Sequence, residues 1–303
     1  MKGLASFVMR GLSQSVMVST VLALLSLILP LFGILSAASV GLVTLRNGAK
    51  SGIIVSLLAT LACGLFLAVS FGNPVPALVF LLQWVPVVLL GQFLRASRSL
   101  DLSIQSALGF GLLAILGQYL LLEDPTGFWQ TQLQPLVDQL VTAGVMDQVN
   151  SQAVVARLAG WMSGVLAAGV FLQLSCSLLV ARWWQSLLYN PGGFREEFHR
   201  FRLHKALGVV GLAAIVILLM PSQALPEIFR HLAILLSAIL FLAGLAVTHG
   251  VLGMMSSSGL WLGVVYFLLI FLLPQVAMVL ATIGLMDVWI DFRARFERGR
   301  STG

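Results

Sequence analysis

The sequence predicts an all-α fold, a polytopic transmembrane helical bundle of about nine apolar segments. Three observations predict it. Apolar residues make up 59% of the 303 residues and charged residues 9%, against about 25% charged in a soluble domain, so there is too little polar side chain to coat a globule. Mean hydropathy is +1.02. Apolar runs of about 18–25 residues, long enough for a hydrocarbon core about 30 Å thick, recur along the chain.

The segments fall at 12–29, 33–45, 52–71, 76–94, 103–122, 154–181, 206–222, 231–250 and 259–285. The start MKGLASFVMR, its apolar run and SAAS at 36–39 imitate a signal peptide. The run to Leu29 is longer than a typical signal core and more spans follow, so it reads as a retained first helix.

Orientation follows from lysine and arginine. Lys2 and Arg10 precede the first segment, Arg46 and Lys50 follow the second, Arg95 and Arg98 the fourth, and a basic cluster follows the sixth. The loops between are different: FGNP at 71–74 has no charge, and 123–151 carries Glu123, Asp124, Asp138 and Asp147 without a lysine or arginine. The alternation puts the N-terminus in the cytoplasm, provided that the short segment 33–45 crosses. Three further crossings after Lys205 would leave DFRARFERGR outside. Either Pro274 breaks the last run into a re-entrant pair buried in protein, or the C-terminus is external.

The loop 123–151 has Phe128, Leu133, Leu136, Leu140 and Val141 at helical spacing. It predicts an amphipathic helix on the outer membrane face, or a lid over an outer cavity. The net charge of +6 is the ordinary excess of basic loops facing anionic headgroups. The expected partner is the lipid bilayer, not nucleic acid.

Little of the sequence carries chemistry. Cys63 and Cys176 lie inside apolar runs and imply no disulfide. His199 and His204 are five apart, on different helix faces, and His231 and His249 stand alone, so neither a metal site nor a cofactor is expected. Asp287 and Asp291 share a helical face and can hold Mg²⁺ or do acid–base work. Arg293, Arg295 and Arg298 follow at once, which favours a capped helix end with paired carboxylates.

Polar residues inside spans are costly in lipid and face protein or water. Gln83 beside Trp84, Gln118 with Tyr119, Arg157 with Trp161, and Gln173 are such residues. The second and third pairs fall in the outer half, where they predict a pocket for a small polar or anionic ligand. The plainer alternative is interhelical hydrogen bonding with an aromatic belt. On the first span Gly11, Ser15, Ser19 and Ala23 recur every four residues, a small-residue face for helix packing within the chain or for a partner subunit.

LYNPGGFREEFHRFRLHKALG at 188–208 gathers scarce charge. Trp183 and Trp184 just before it mark the water interface. Phe194, Phe198 and Phe201 fall on one helical face, while Arg195, Arg200 and Arg202 occupy others, which predicts a helix lying in the headgroup plane. Asn190-Pro191-Gly192-Gly193 supplies the break before it.

NPGGF at 190–194 followed by FRLHK, with the C-terminal pattern of Gly284, Leu285, Asp287, Trp289, Asp291, Phe292, Arg293 and Arg295, resembles the YybS-like bacterial membrane proteins, a family of unknown function. TLRNGAKSG at 44–52 also fits, as a basic, glycine-containing turn between the second and third spans. The first six spans of such proteins are similar to the substrate-binding membrane subunits of energy-coupling-factor vitamin transporters. That resemblance implies a six-helix core over 1–185 with the outer insert 123–151, an interfacial helix over 186–205, and appended helices with a basic tail over 206–303. It also implies a ligand site near the outer face and docking of a membrane partner through small residues of the first helix. The alanine-based docking pattern of those transporters is not reproduced here. The function expected is binding of a small molecule or lipid, with partners, in transport at the bacterial inner membrane. The alternatives are a scaffold or assembly factor and, third, a membrane enzyme using Asp287 and Asp291.

Overall fold

The computed structural model describes residues 1–221, 224–255 and 257–301, and these form fourteen helices with no strand among the described residues. Six helices are long and apolar enough to cross a membrane, and four more are apolar but shorter. Val69, Leu82, Leu120 and Leu121 are 75–85% exposed. Side chains of this kind face solvent in such density only when the solvent is lipid. The chain is a polytopic helical bundle. It folds as two compact units, residues 1–107 with 172–201, and residues 108–171 with 202–303. Helices α6 (Leu100–Leu121) and α8 (Gln148–Tyr189) each contribute one part to each unit.

Helix α3 (Leu31–Asn47) is the centre of the first unit, with Gly33 and every residue from Ser36 to Leu45 buried. Its small residues let neighbours approach closely. Gly33, Gly41 and Leu45 meet Gln173, Ala181 and Gln185 of α8 in constant register, so the two helices run parallel. Helix α5 (Ala77–Ser97) also runs parallel to α3, through Gln83 at Gly33, Val87 at Gly41 and Gly91 at Thr44. Helix α2 (Leu12–Leu25) is antiparallel to α3 and joined to it at mid-length: the Ser19 and Ser39 hydroxyls are 2.5 Å apart, and Ser36 Oγ donates to the Ser19 carbonyl at 2.7 Å. The short second segment therefore forms a helix of about 25 Å that lies alongside full-length spans, as the alternation of basic loops requires. SAAS at 36–39 is the middle of this helix. Gly48, at φ +94°, turns the chain into α4 (Ala49–Phe71).

Most of the stripe on the first span packs here. Ser15, Ser19 and Ala23 are at most 4% exposed and pack within the chain, whereas Gly11 is exposed. Helix α1 (Lys2–Val8) precedes it.

In the second unit, α7 (Pro125–Thr142) is the helix expected in the loop 123–151, started by Asp124, whose Oδ1 accepts from Gly127 N at 2.9 Å. The final apolar run is two helices, α12 (Ser258–Phe271) and α13 (Leu273–Ile290), so there are ten apolar helices where nine segments were expected. The break falls at Leu272 because Pro274 has no N–H for a helical bond and is accepted in the first turn of a new helix. Helix α13 packs along α11 (Glu227–Leu252) with backbones nearly touching: a Cβ on Gly244 would strike the Leu280 carbonyl, and one on Gly284 the Leu240 carbonyl.

The C-terminal end of α13 lies beside the start of α10 (Lys205–Leu219). Gly208 faces Val288 and Trp289, and Arg202 Nη2 donates to Asp291 Oδ2 at 2.7 Å. The arginine-rich helix α14 (Phe292–Ser301) therefore begins at the end of the unit from which α10 departs. Topology reporters inserted within 203–205 and after residue 301 should report the same compartment. Opposite compartments would contradict this arrangement.

Candidate functional site

The most chemically loaded place in the second unit lies where α6, α7, α8 and α11 meet. His231, one turn inside α11, is fully buried. Its Nε2 is 3.0 Å from the Gly160 carbonyl, which can only accept, so Nε2 carries a proton, and in the neutral ring Nδ1 is bare. Nδ1 then accepts from the Tyr119 hydroxyl at 3.1 Å. Gly164 makes this contact feasible, since a Cβ there would press on the His231 backbone at 2.8 Å. Beside it, Trp129 Nε1 of α7 donates to Gln118 Oε1 at 3.0 Å and to Ser163 Oγ at 3.2 Å. At the mouth, Thr126 Oγ1 of α7 donates to Glu227 Oε2 at 2.6 Å. Helix α7 is thus fastened over Gln118 and Ser163 by an indole and to α11 by a hydroxyl.

Seven residues were expected as ligand-binding, four of them (Gln118, Tyr119, Arg157 and Trp161) in an outer pocket, and the structure distributes them over more than one place. Gln118 and Tyr119 belong to this cluster. Arg157 and Trp161 do not, because they lie on the exposed face of α8 while Ala159, Gly160 and Ser163 face inward. The other three meet in the first unit instead. Gln83 Nε2 donates to the Gly33 carbonyl at 2.8 Å, Gln173 Nε2 lies against the same glycine, and Trp84 Nε1 donates to Ser36 Oγ at 3.2 Å. Five of the seven residues therefore belong to two polar clusters, one in each unit. His231 was passed over because it was weighed only as a metal ligand. Its signal was that of any ionisable residue inside an apolar run.

Asp287 and Asp291 are engaged by arginines. Asp287 accepts from Phe292 N at 3.0 Å and from Arg293 Nη2 at 2.5 Å, with both side chains 6% exposed. Asp291 sits at φ +51° between α13 and α14 and caps the latter through Ala294 N at 3.2 Å. Burial would raise the Asp291 pKa, but the Arg202 hydrogen bond, the Ala294 N–H and the charges of Arg202 and Arg293 outweigh it and hold the carboxyl below its ordinary value. These carboxylates fasten helix ends. No group of three metal-ligating side chains occurs among the described residues.

The segment after α8 also differs from expectation. Helix α9 (Gly193–His199) is two turns long, and its Phe194 and Phe198 rings stack at 5.8 Å. Phe201 lies past the helix end and is 1% exposed, so it anchors the chain in protein rather than in lipid. Arg195 and Arg200 are exposed, and Arg202 pairs with Asp291. Trp184 is likewise buried in protein. The NPGG run has a local cause: Gly192 adopts φ +92°, and the Asn190 amide occupies the place a Cβ on Gly193 would need. Glu197 pairs with Arg182, and Phe194 N donates to Ser186 Oγ at 3.1 Å, tying α9 back to α8.

A helical bundle with lipid-facing apolar surface and polar clusters held inside it defines a multi-pass membrane protein. Residues 17–288 match the family described as predicted membrane protein (DUF2232), and the chain belongs to it. No curated protein and no solved structure matches the chain.

Proposed function

We propose that the protein binds a small polar molecule at the Gln118–Tyr119–Ser163–His231 cluster beneath α7, as a YybS-like, transporter-subunit-like protein of the bacterial inner membrane with its N-terminus in the cytoplasm. The observation that carries this reading is Trp129. A lid residue donates one indole N–H to two acceptors, Gln118 Oε1 and Ser163 Oγ, on two different spans. Those acceptors, with Tyr119 and His231 beside them, are what a ligand's own N–H or O–H groups would engage once α7 lifts.

Mass spectrometry of small molecules retained by gently purified protein tests the reading. Gln118→Leu or His231→Leu should lower retention about tenfold, the loss of one or two buried hydrogen bonds. Arg157→Ala should leave it unchanged. Equal retention by all three variants would sink the proposal.

A further inference from the structure

The first unit contains a cavity of about 220 Å³ where the end of α1, the start of α2, the end of α3 and the start of α4 meet. It has two kinds of wall. Met9, Leu12 and Ile54 form an apolar side, and Ser15, Asn47 and Ser51 a polar one. Leu12 and Ile54 are 50% and 38% exposed, so the apolar side opens toward the surface that lipid covers. Cations adjoin the lining residues in sequence: Arg10 follows Met9, Arg46 precedes Asn47, and Lys50 precedes Ser51. Arg10, Arg46 and Lys50 are exposed, and no carboxylate pairs with any of them among the described residues. The first 100 residues contain six lysines and arginines and no acidic residue, Asp101 being the first.

We infer that this cavity is a binding site for an anionic phospholipid. The lipid phosphate sits against Arg10 and Lys50, its headgroup hydroxyls meet Ser51 and Asn47, and an acyl chain runs along Leu12 and Ile54. A soluble anion would use the cations and leave the apolar wall uncovered. A zwitterionic lipid would cover the wall and leave three cations without a counter-charge. Only a molecule with both an acyl chain and net negative charge matches both walls at once. The site is independent of the cluster beneath α7, which lies in the other unit.

Native mass spectrometry of the purified full chain tests this with three probes: dioleoyl phosphatidylglycerol, dioleoyl phosphatidylcholine and glycerol phosphate. One phosphatidylglycerol should be retained in preference to phosphatidylcholine, and glycerol phosphate should not displace it. The double variant Arg10→Gln/Lys50→Gln, at two exposed positions, should lower that retention about fivefold for each cation removed. Ser51→Leu, which fills the cavity, should abolish it. Equal retention of the two lipids, unchanged retention by the double variant, or displacement by glycerol phosphate would each overturn the inference. Should Ser51→Leu fail to fold, the charge variant still decides.

Discussion

Arg293→Ala should destabilise the second unit by about 3–5 kcal/mol, because it strands the Asp287 carboxylate in a site with almost no access to water. Both side chains are 6% exposed and 2.5 Å apart. Asp287 also holds Phe292 N, so its charge fixes the angle at which α14 leaves α13. Replacing both partners by apolar groups of similar size, Asp287→Leu with Arg293→Met, should cost much less than either single change, since no charge is then left buried. Asp291 offers a contrast. Its side chain is 32% exposed and its partner Arg202 53%, so Asp291→Asn should cost under about 1 kcal/mol. Denaturant unfolding in detergent, read through hydrogen exchange of the α13 amides, separates these outcomes. Loss of an activity on Asp287→Asn with the fold intact would instead restore the enzyme reading.

Gly244→Ala should be nearly as damaging, at about 3 kcal/mol, the upper end of the usual cost of overpacking. The added methyl meets the Leu280 carbonyl, which is backbone and cannot rotate aside, so α11 and α13 must separate along their contact. Gly284→Ala should behave alike, since its methyl meets the Leu240 carbonyl and the Gly244 amide. Gly259→Ala and Gly263→Ala on α12 are the controls: a Cβ there meets nothing, and they should leave the melting temperature unchanged or raise it. Thermal melts of the four variants would check this. Equal stability across all four would mean that the helices do not pack as described.

These glycines show where sequence reading stopped. Gly11, Ser15, Ser19 and Ala23 drew attention because their four-residue spacing is regular, yet the tightest helix contact uses one glycine on each of two helices forty residues apart. Nothing in the spacing of α11 says which of its small residues, Ala238, Ala243, Gly244 or Ala246, meets a backbone. The same gap explains the divided pocket. Depth in the membrane is legible from the distance to the nearest charged loop, so Gln118, Tyr119, Arg157 and Trp161 could be placed in one layer. Rotation about the helix axis is not legible when apolar residues occur on every face, because the usual hydrophobic stripe is missing. Arg157 and Trp161 therefore turned outward, while Gly160 and Ser163 turned toward His231.

Sequence alone shows a multi-pass helical membrane protein, where most of its spans lie, the helix in the loop 123–151, and the pairing of Asp287 with Arg293. Each follows from a local cause: apolar run length against bilayer thickness, helical spacing, and charges within a turn of one another. Only the tertiary structure decided that the final run breaks at Leu272, that its end returns to Arg202, that Phe201 is buried, and that His231 and Trp129 bind groups far away in sequence. Those outcomes depend on which helix faces which, and a lipid-soluble helix that is apolar all round leaves that choice to packing and to a few buried hydrogen bonds.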